Sequence, residues 1–253
     1  MRIISWNMAA GFGHDAVRHE RAWRWLEDQA ADVCLVQEVL VPTWAQQSWS
    51  SVVFWEKYAQ PWGSAVLTRS PGYRRYAPGA DQPLLEHLKG AACIAQPADD
   101  SLPWLVSIHS SASSYTPQQS ALLPPLDDVP RCSPGGLWEI DLAIHELGPL
   151  LAGRSFVAGG DLNSALLFDA TQGGESNRKL FDNISAAGFH DLQPADMPEQ
   201  QTFFRDGSGP YQLDHVFGDP STAGRVRSWQ VAAHVAQGAD SLSDHAAVIV
   251  DLD

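Results

Sequence analysis

Short apolar runs of strand length recur along the whole chain, and six of them meet a polar donor at one end. "RIISWN" ends at Asn7, "DVCLVQE" at Glu38 and "WLVSIH" at His109. "SFVAGGDLN" leads to Asp161 and Asn163, "YQLDHVF" carries Asp214 and His215, and "SLSDHAAVIV" opens with Asp244 and His245. Apolar runs bounded by turn residues, with helical segments between them, specify packed layers of strand and helix. They also leave each strand end free to present a side chain to a ligand, because open α/β folds bind at strand ends.

The pattern predicts strands at Arg2–Trp6, Val33–Gln37, Ala65–Thr68, Ala91–Ala95, Trp104–His109 and Ser155–Ala158. Further strands are expected at Gln201–Phe204, Gln212–Phe217, Ser228–Ala233 and Ala246–Leu252, with helices over Val17–Ala31, Leu137–Leu151 and Arg178–Ala187. Strands outnumber helices, which points to two packed sheets with helices outside. No repeat or linker divides the 253 residues, so a single domain over 1–253 is expected. Ser110–Gly136, rich in Ser, Pro and Gln, reads as one long irregular loop, a feature usually tied to function or mobility.

Composition narrows the function. The hydrophobic share of 44% gives ample core. The formal net charge of −14 opposes a simple electrostatic nucleic-acid binder, whose usual sign is a basic face. A bound divalent cation would reverse that sign locally. Cys34, Cys93 and Cys132 show no metal spacing, and Cys34 and Cys93 sit in apolar runs, as expected of buried thiols in a reducing compartment. No apolar run has membrane-spanning length and no secretory leader precedes the first strand, so a cytoplasmic location is expected.

Each strand-end residue has a plain structural explanation. Gly-Gly-Asp-x-Asn is ordinary turn chemistry, Asp-His before a strand reads as a cap, and a lone His is more often structural than catalytic. Taken together, the set has a coherent chemistry. Glu38, Asp244 and the Asn7 carbonyl oxygen are hard ligands suited to Mg²⁺, and no Cys/His cluster suggests zinc. Asp214 and His245 are candidates for a carboxylate–imidazole pair that fixes a tautomer and stabilises its cation. Asp161 and Asn163 are placed to orient or deprotonate a water attacking phosphorus.

"ISWN", "CLVQE", "WGSAVLTRSP", "VSIHSSAS", "GGDLNSA", "LDHVF" and "SDHAAV" occur in this order over nearly the whole chain. In this ordered set the sequence resembles the endonuclease/exonuclease/phosphatase superfamily, the deoxyribonuclease-type metal-dependent phosphodiesterases. The resemblance implies an α/β fold, a four-layer α/β/β/α sandwich of two mixed sheets flanked by helices, with the site at one edge of both sheets. It implies Mg²⁺, or Mn²⁺, at Glu38 with Asn7 and Asp244 close by. It also implies a His245–Asp214 pair and His109 as a second catalytic or phosphate-binding histidine. Gly159-Gly160 would let the chain turn so that Asp161 and Asn163 face the reacting phosphate.

The departures bear on substrate. Pancreatic-type deoxyribonucleases place a Glu just before the strand expected at Ala91–Ala95, to orient the residue matching His109. Here the segment is "EHLKGAAC", with Gly90 near that place and Glu86 as the alternative. Abasic-site endonucleases carry a Tyr and Asn motif where this chain has "IHSSASSY". Inositol-phosphate phosphatases carry a Cys-Asp-Arg segment where it has Leu213-Asp214-His215. The first expectation is a nuclease, with nucleic acid as substrate. A hydrolase of a small or lipid phosphoester is the alternative, and a non-catalytic binding protein on the same fold is the reading of another class. Arg74 and Arg75, between Tyr73 and Tyr76, are a candidate phosphate clamp, although a solvated loop explains them better.

Overall fold

The computed structural model describes residues 1–10, 15–57, 60–79, 82–88, 91–111 and 113–253. Gly90 lies outside the described residues. The strands are β1 (Arg2–Asn7), β2 (Val33–Val39), β3 (Ser51–Glu56), β4 (Gly63–Thr68), β5 (Tyr73–Arg75) and β6 (Ala92–Pro97). They continue as β7 (Trp104–His109), β8 (Phe156–Asp161), β9 (His190–Asp191), β10 (Asp214–Gly218), β11 (Val226–Ala232) and β12 (Ala247–Leu252). The helices are α1 (Ala16–Asp28), α2 (Ala45–Ser48), α3 (Pro83–His87), α4 (Pro117–Ser120), α5 (Glu139–Leu151), α6 (Leu166–Gln172), α7 (Ser176–Ala186) and α8 (Pro220–Ala223).

Two six-stranded sheets result, ordered β11-β12-β1-β2-β4-β3 and β5-β6-β7-β8-β10-β9. Both are mixed: β1 and β2 are parallel, as are β7 and β8, while the other pairs are antiparallel. Side-chain alternation assigns the layers. Ile3, Val33, Leu35, Leu105, Val157, Val216 and Val248 pack between the sheets. Their neighbours Ile4, Cys34 and Val36 face α1, which buries Ala22, Trp23 and Leu26 on that side. Val106, Ala158 and Phe217 face α5 and α7 on the other. The layer order is α/β/β/α, as expected. No described helix is long and apolar enough to cross a membrane.

Some elements depart from expectation for local reasons. β3 lacks a clean alternation because its half-buried face, Val52 and Phe54, is apolar too. β5 is a short edge strand, Tyr-Arg-Arg, with no period to detect. Gln201–Phe204 is not a strand. Its one bridge joins Phe203 to His245, and Thr202 Oγ1 accepts the amides of Leu213 and Asp214. The segment ties two chain stretches together instead of joining a ladder. Ser110–Gly136 is not wholly irregular, since it holds α4 and bridges Ser114 to Trp138.

Candidate active site

The inner-face alternation carries polar groups to one end of the sandwich. Asn7 follows Ile3 and Ser5 on the inner face of β1, and His109 follows Leu105 and Ser107 on β7. Asp161 and Asp214 are register partners on β8 and β10. Glu38 would by strict alternation share the helix-facing side of Val36. Instead its φ is +45°, and the β2–β4 register shifts between Val36 and Val39. This bulge re-aims the side chain, a recurrent use of bulges beside active sites.

The side chains then form one connected cluster. Asn7 Nδ2 donates to Glu38 Oε1 at 3.1 Å and to Asp161 Oδ2 at 3.0 Å, while its Oδ1 accepts the Ala9 amide. His109 Nε2 lies 3.3 Å from Glu38 Oε1 and 3.9 Å from Asp161 Oδ2. His245 Nδ1 lies 2.8 Å from Asp214 Oδ2, and its Nε2 lies 3.7 Å from Asp161 Oδ2. Trp6 Nε1 donates to the His245 carbonyl and Ser243 Oγ accepts the His245 amide, so the ring is anchored from its backbone. Asn163 Nδ2 donates to the Ser110 carbonyl and to Asp161 Oδ2. Asp244 is half-buried on the cleft wall, and its carbonyl accepts the Phe204 amide.

Electrostatics follows from burial and neighbours. Burial by itself opposes charge on His245, but Asp214 and Asp161 attract the cation, Asp214 hydrogen-bonds it, and the pKa rises to about 10. Burial pushes Asp161 up to about 7, against the pull of His245. Glu38 is raised, chiefly by burial. His109 is held well below the usual histidine range by burial, then by Lys57 and His245. The site therefore contains a stable imidazolium, a neutral imidazole and a carboxylate with raised basicity.

Several expectations need correction. Gly159 and Gly160 do not make a turn; they are residues of β8. A Cβ on Gly160 would fall 1.8 Å from the Ile108 carbonyl oxygen and 2.9 Å from Gln37 Nε2 of the opposite sheet. Glycine is needed there for close approach. The turn comes later, at Asn163, with φ of +50° and its amide donating to Asp161 Oδ1. Asn7 meets Glu38 and Asp161 through Nδ2, while its Oδ1 accepts the Ala9 amide and keeps a second lone pair. Arg74 and Arg75 lie on the sheet-edge strand β5, and neither lines the cleft. Glu86 is exposed on α3, and the group that faces His109 Nδ1 is Lys57. His215, for which the sequence suggested no role, points away from the site into Phe181 and Phe217, with its Nε2 3.1 Å from the Ser164 and Gln212 carbonyl oxygens.

The cleft encloses about 520 Å³, within the range of ligand sites. Its walls include Lys57, Trp62, Phe168, Phe203, Arg205 and Tyr211, none of them singled out from sequence. Phe168 stacks on Tyr211 at 4.1 Å, and Phe203 packs on the His245 ring at 4.9 Å. Trp62 lies inside the "WGSAVLTRSP" match, and Phe203 within the stretch expected to be a strand; Lys57 had no local signal.

A divalent cation fits these residues. Glu38 Oε2 and Asp214 Oδ1 are buried with no hydrogen-bond partner among the described residues, and hard anionic oxygens of this kind suit such an ion. Among the described residues, Asp161, Asp214 and His245 offer ligand atoms within 4.8 Å of one another. Of that trio only the carboxylates have lone pairs to offer an ion, since the His245 cation has none.

The profile of the Endonuclease/Exonuclease/phosphatase family matches residues 4–245. The chain belongs to that family. Phosphoester hydrolysis is the family's chemistry, and the buried carboxylate–imidazole cluster lies inside the matched span. No individually curated protein sequence matches significantly. Among solved structures, the 3′-5′ exonuclease NExo from Neisseria meningitidis is similar, with TM-score 0.73 and 18% identity over 100% of both chains. The 3′ phosphatase NExo from Neisseria bound to product DNA hairpin gives TM-score 0.73 at 17% identity, covering 100% of this chain and 99% of that one. An AP endonuclease from Archaeoglobus fulgidus gives TM-score 0.72 at 15% identity, again over 100% and 99%. At these identities the likeness is one of fold, and the family's two-sheet sandwich is the architecture found here.

Proposed function

We propose that this protein is a divalent-metal-dependent nuclease that hydrolyses phosphodiester bonds at the cleft between the two sheet ends. The observation that carries the reading is the placement of His245 between two carboxylates, with Nδ1 at 2.8 Å from Asp214 and Nε2 at 3.7 Å from Asp161. The likeness to a 3′-5′ exonuclease, a DNA-bound 3′ phosphatase and an AP endonuclease supports nucleic acid as the substrate.

In this reading His245, kept cationic by Asp214, donates from Nε2 to a phosphoryl oxygen and stabilises charge as it develops. Asp161, pushed up to about 7, is matched to take a proton from the attacking water near neutral pH. Asn163 holds Asp161 in place through its amide nitrogen. His109 presents Nε2 to the same Asp161 oxygen, at 3.9 Å. Mg²⁺, or Mn²⁺, held by Glu38 with Asp244 and Asn7 beside it, would supply Lewis-acid polarisation of a phosphoryl oxygen. We assign residues 1–253 to one domain. All three cysteines are free and buried, which supports the cytoplasm as its location.

The test is hydrolysis by purified protein with Mg²⁺, Mn²⁺ or chelator. Substrates are single- and double-stranded DNA, 3′-phosphorylated and abasic DNA, RNA, cyclic dinucleotides, sphingomyelin and inositol phosphates. Metal-dependent cleavage of a polynucleotide is the expected result. Turnover restricted to a small or lipid phosphoester would replace the nuclease reading, and no turnover on any substrate would favour a binding protein.

A further inference from the structure

We infer that Lys57 is a positioning residue of this cleft, whose ammonium fixes His109 as the tautomer with its proton on Nε2. Lys57 follows the last residue of β3 and is 8% exposed, an unusual burial for lysine. Its Nζ donates to the His109 carbonyl oxygen at 3.1 Å and stands 3.5 Å from His109 Nδ1. Behind it, Glu139 Oε2 lies 3.7 Å away and also accepts the Ser111 amide at 2.7 Å. The ammonium is thus held from both sides by elements of different origin: the start of α5, and the end of β7 with the loop that follows it.

An ammonium has donors and no acceptor. Nδ1 of the facing imidazole must therefore be the acceptor, and the ring proton resides on Nε2. That nitrogen points toward Glu38 Oε1 and Asp161 Oδ2. A carboxylate in the same place, as in the pancreatic-type pattern from which this chain departs, would impose the opposite polarity. It would draw the proton to Nδ1 and leave Nε2 able to accept. Lys57 makes His109 a standing hydrogen-bond donor to the cleft, suited to holding a phosphate oxygen and unsuited to receiving a proton. The role in turnover rests on the phosphoester-hydrolase reading, whereas the tautomer does not.

The test uses the full chain, labelled with ¹⁵N-histidine and free of metal. Long-range proton–nitrogen correlations distinguish a protonated ring nitrogen from an accepting one, and His109 is assigned from the spectrum of His109→Gln. The expected result is protonated Nε2 and accepting Nδ1 in the wild type. Lys57→Met should move proton density to Nδ1, and Lys57→Arg should retain the wild-type pattern. On the substrate that the wild type cleaves, Lys57→Met should lower kcat by about 10- to 100-fold, the range seen when the outer partner of a site histidine is removed. KM should hardly move, and Lys57→Arg should recover part of the loss. If Lys57→Met does not fold because the buried Glu139 carboxylate loses the Lys57 counter-charge, Lys57→Met with Glu139→Gln removes both charges and is read in the same way. A wild-type His109 protonated on Nδ1, or an unaltered ring in the Met variant, overturns the proposal. So does a loss confined to KM, which would make Lys57 a substrate contact. Wild-type protein that shows the expected tautomer but hydrolyses no phosphoester supports the placement of Lys57 and refutes the function instead.

Discussion

His245 and Glu38 are the residues at which burial and charge compete most directly. Burial is the largest single influence on His245, but the surrounding carboxylates, Asp214 and Asp161 foremost, together outweigh it. In the metal-free chain its imidazole should remain protonated through neutral pH and lose its proton only as pH rises toward about 10. Asp214→Asn keeps the shape and removes the charge, so that midpoint should fall, as followed by NMR titration. The same change should lower kcat by about 100-fold or more with a smaller effect on KM, in line with the usual size of acid–base contributions. His245→Ala should cost at least as much, and the double variant little more than the worse single one, because the two groups act as a unit. Fully additive losses would separate them. At Glu38 burial prevails and the carboxyl is raised. A folded-state pKa above the unfolded one means that the ionised form destabilises the apo fold at neutral pH. Glu38→Gln should therefore melt at or above the wild-type temperature without metal. It should gain much less on adding Mg²⁺, with affinity weaker by about tenfold or more. A variant that melts lower than wild type in chelator, or binds Mg²⁺ equally well, would remove Glu38 from this role.

Among the elements, β8 is the most constrained. Gly159 and Gly160 lie where β8 passes between β7 and β10 and close to Gln37 of the facing sheet, whose Nε2 donates to Ser107 Oγ at 2.9 Å. Gly160 has φ of +151° and no room for a methyl group. Gly160→Ala should cost about 3 kcal/mol or more in denaturant unfolding, since it adds both backbone strain and a clash with backbone. A loss below about 1 kcal/mol, the size of an ordinary substitution, would show that β8 can shift at no great expense. The bulge at Glu38 and the segment 201–204 are devices of the same kind. Each gives up regular pairing to aim or tether a site residue, which is why period-2 alternation read past the first and took the second for a strand. Long buried strands such as β7 were legible to the residue because their alternation is supported on both faces. The three-residue β5 and two-residue β9 carry too little pattern to be read from sequence.

For the whole molecule, a net charge of −14 and a cleft whose cationic lining, among the described residues, is Lys57, Arg205 and the His245 imidazolium set how a polyanion must approach. Binding of nucleic acid should depend on metal more than on a basic surface. The slope of log KM against log salt should then correspond to about one or two phosphate contacts, far shallower than the six to ten of a strongly electrostatic binder. The measurement is KM on the cleaved polynucleotide from low to physiological salt at constant Mg²⁺. A steep slope would reveal a phosphate-binding surface elsewhere. Arg74→Ala and Arg75→Ala should leave KM unchanged, because β5 borders the sheet away from the cleft walls.

The sequence by itself determined the layered α/β class, the faces of the main strands and the strand-end positions of Asn7, His109, Asp161 and Asp214. These follow from local period and from the switch from apolar to polar at each strand end. The ordered motifs, read as a resemblance, supplied the family and the expected partner for His245. Tertiary structure alone decided the rest: the close approach at Gly160, the re-aimed Glu38, the inward Nδ2 of Asn7 and the ammonium of Lys57 beside His109. The reason is physical. Local propensity says which face a side chain takes, but contacts between residues 52 apart, such as Lys57 and His109, exist only once two sheets have packed and brought a hairpin over a strand end.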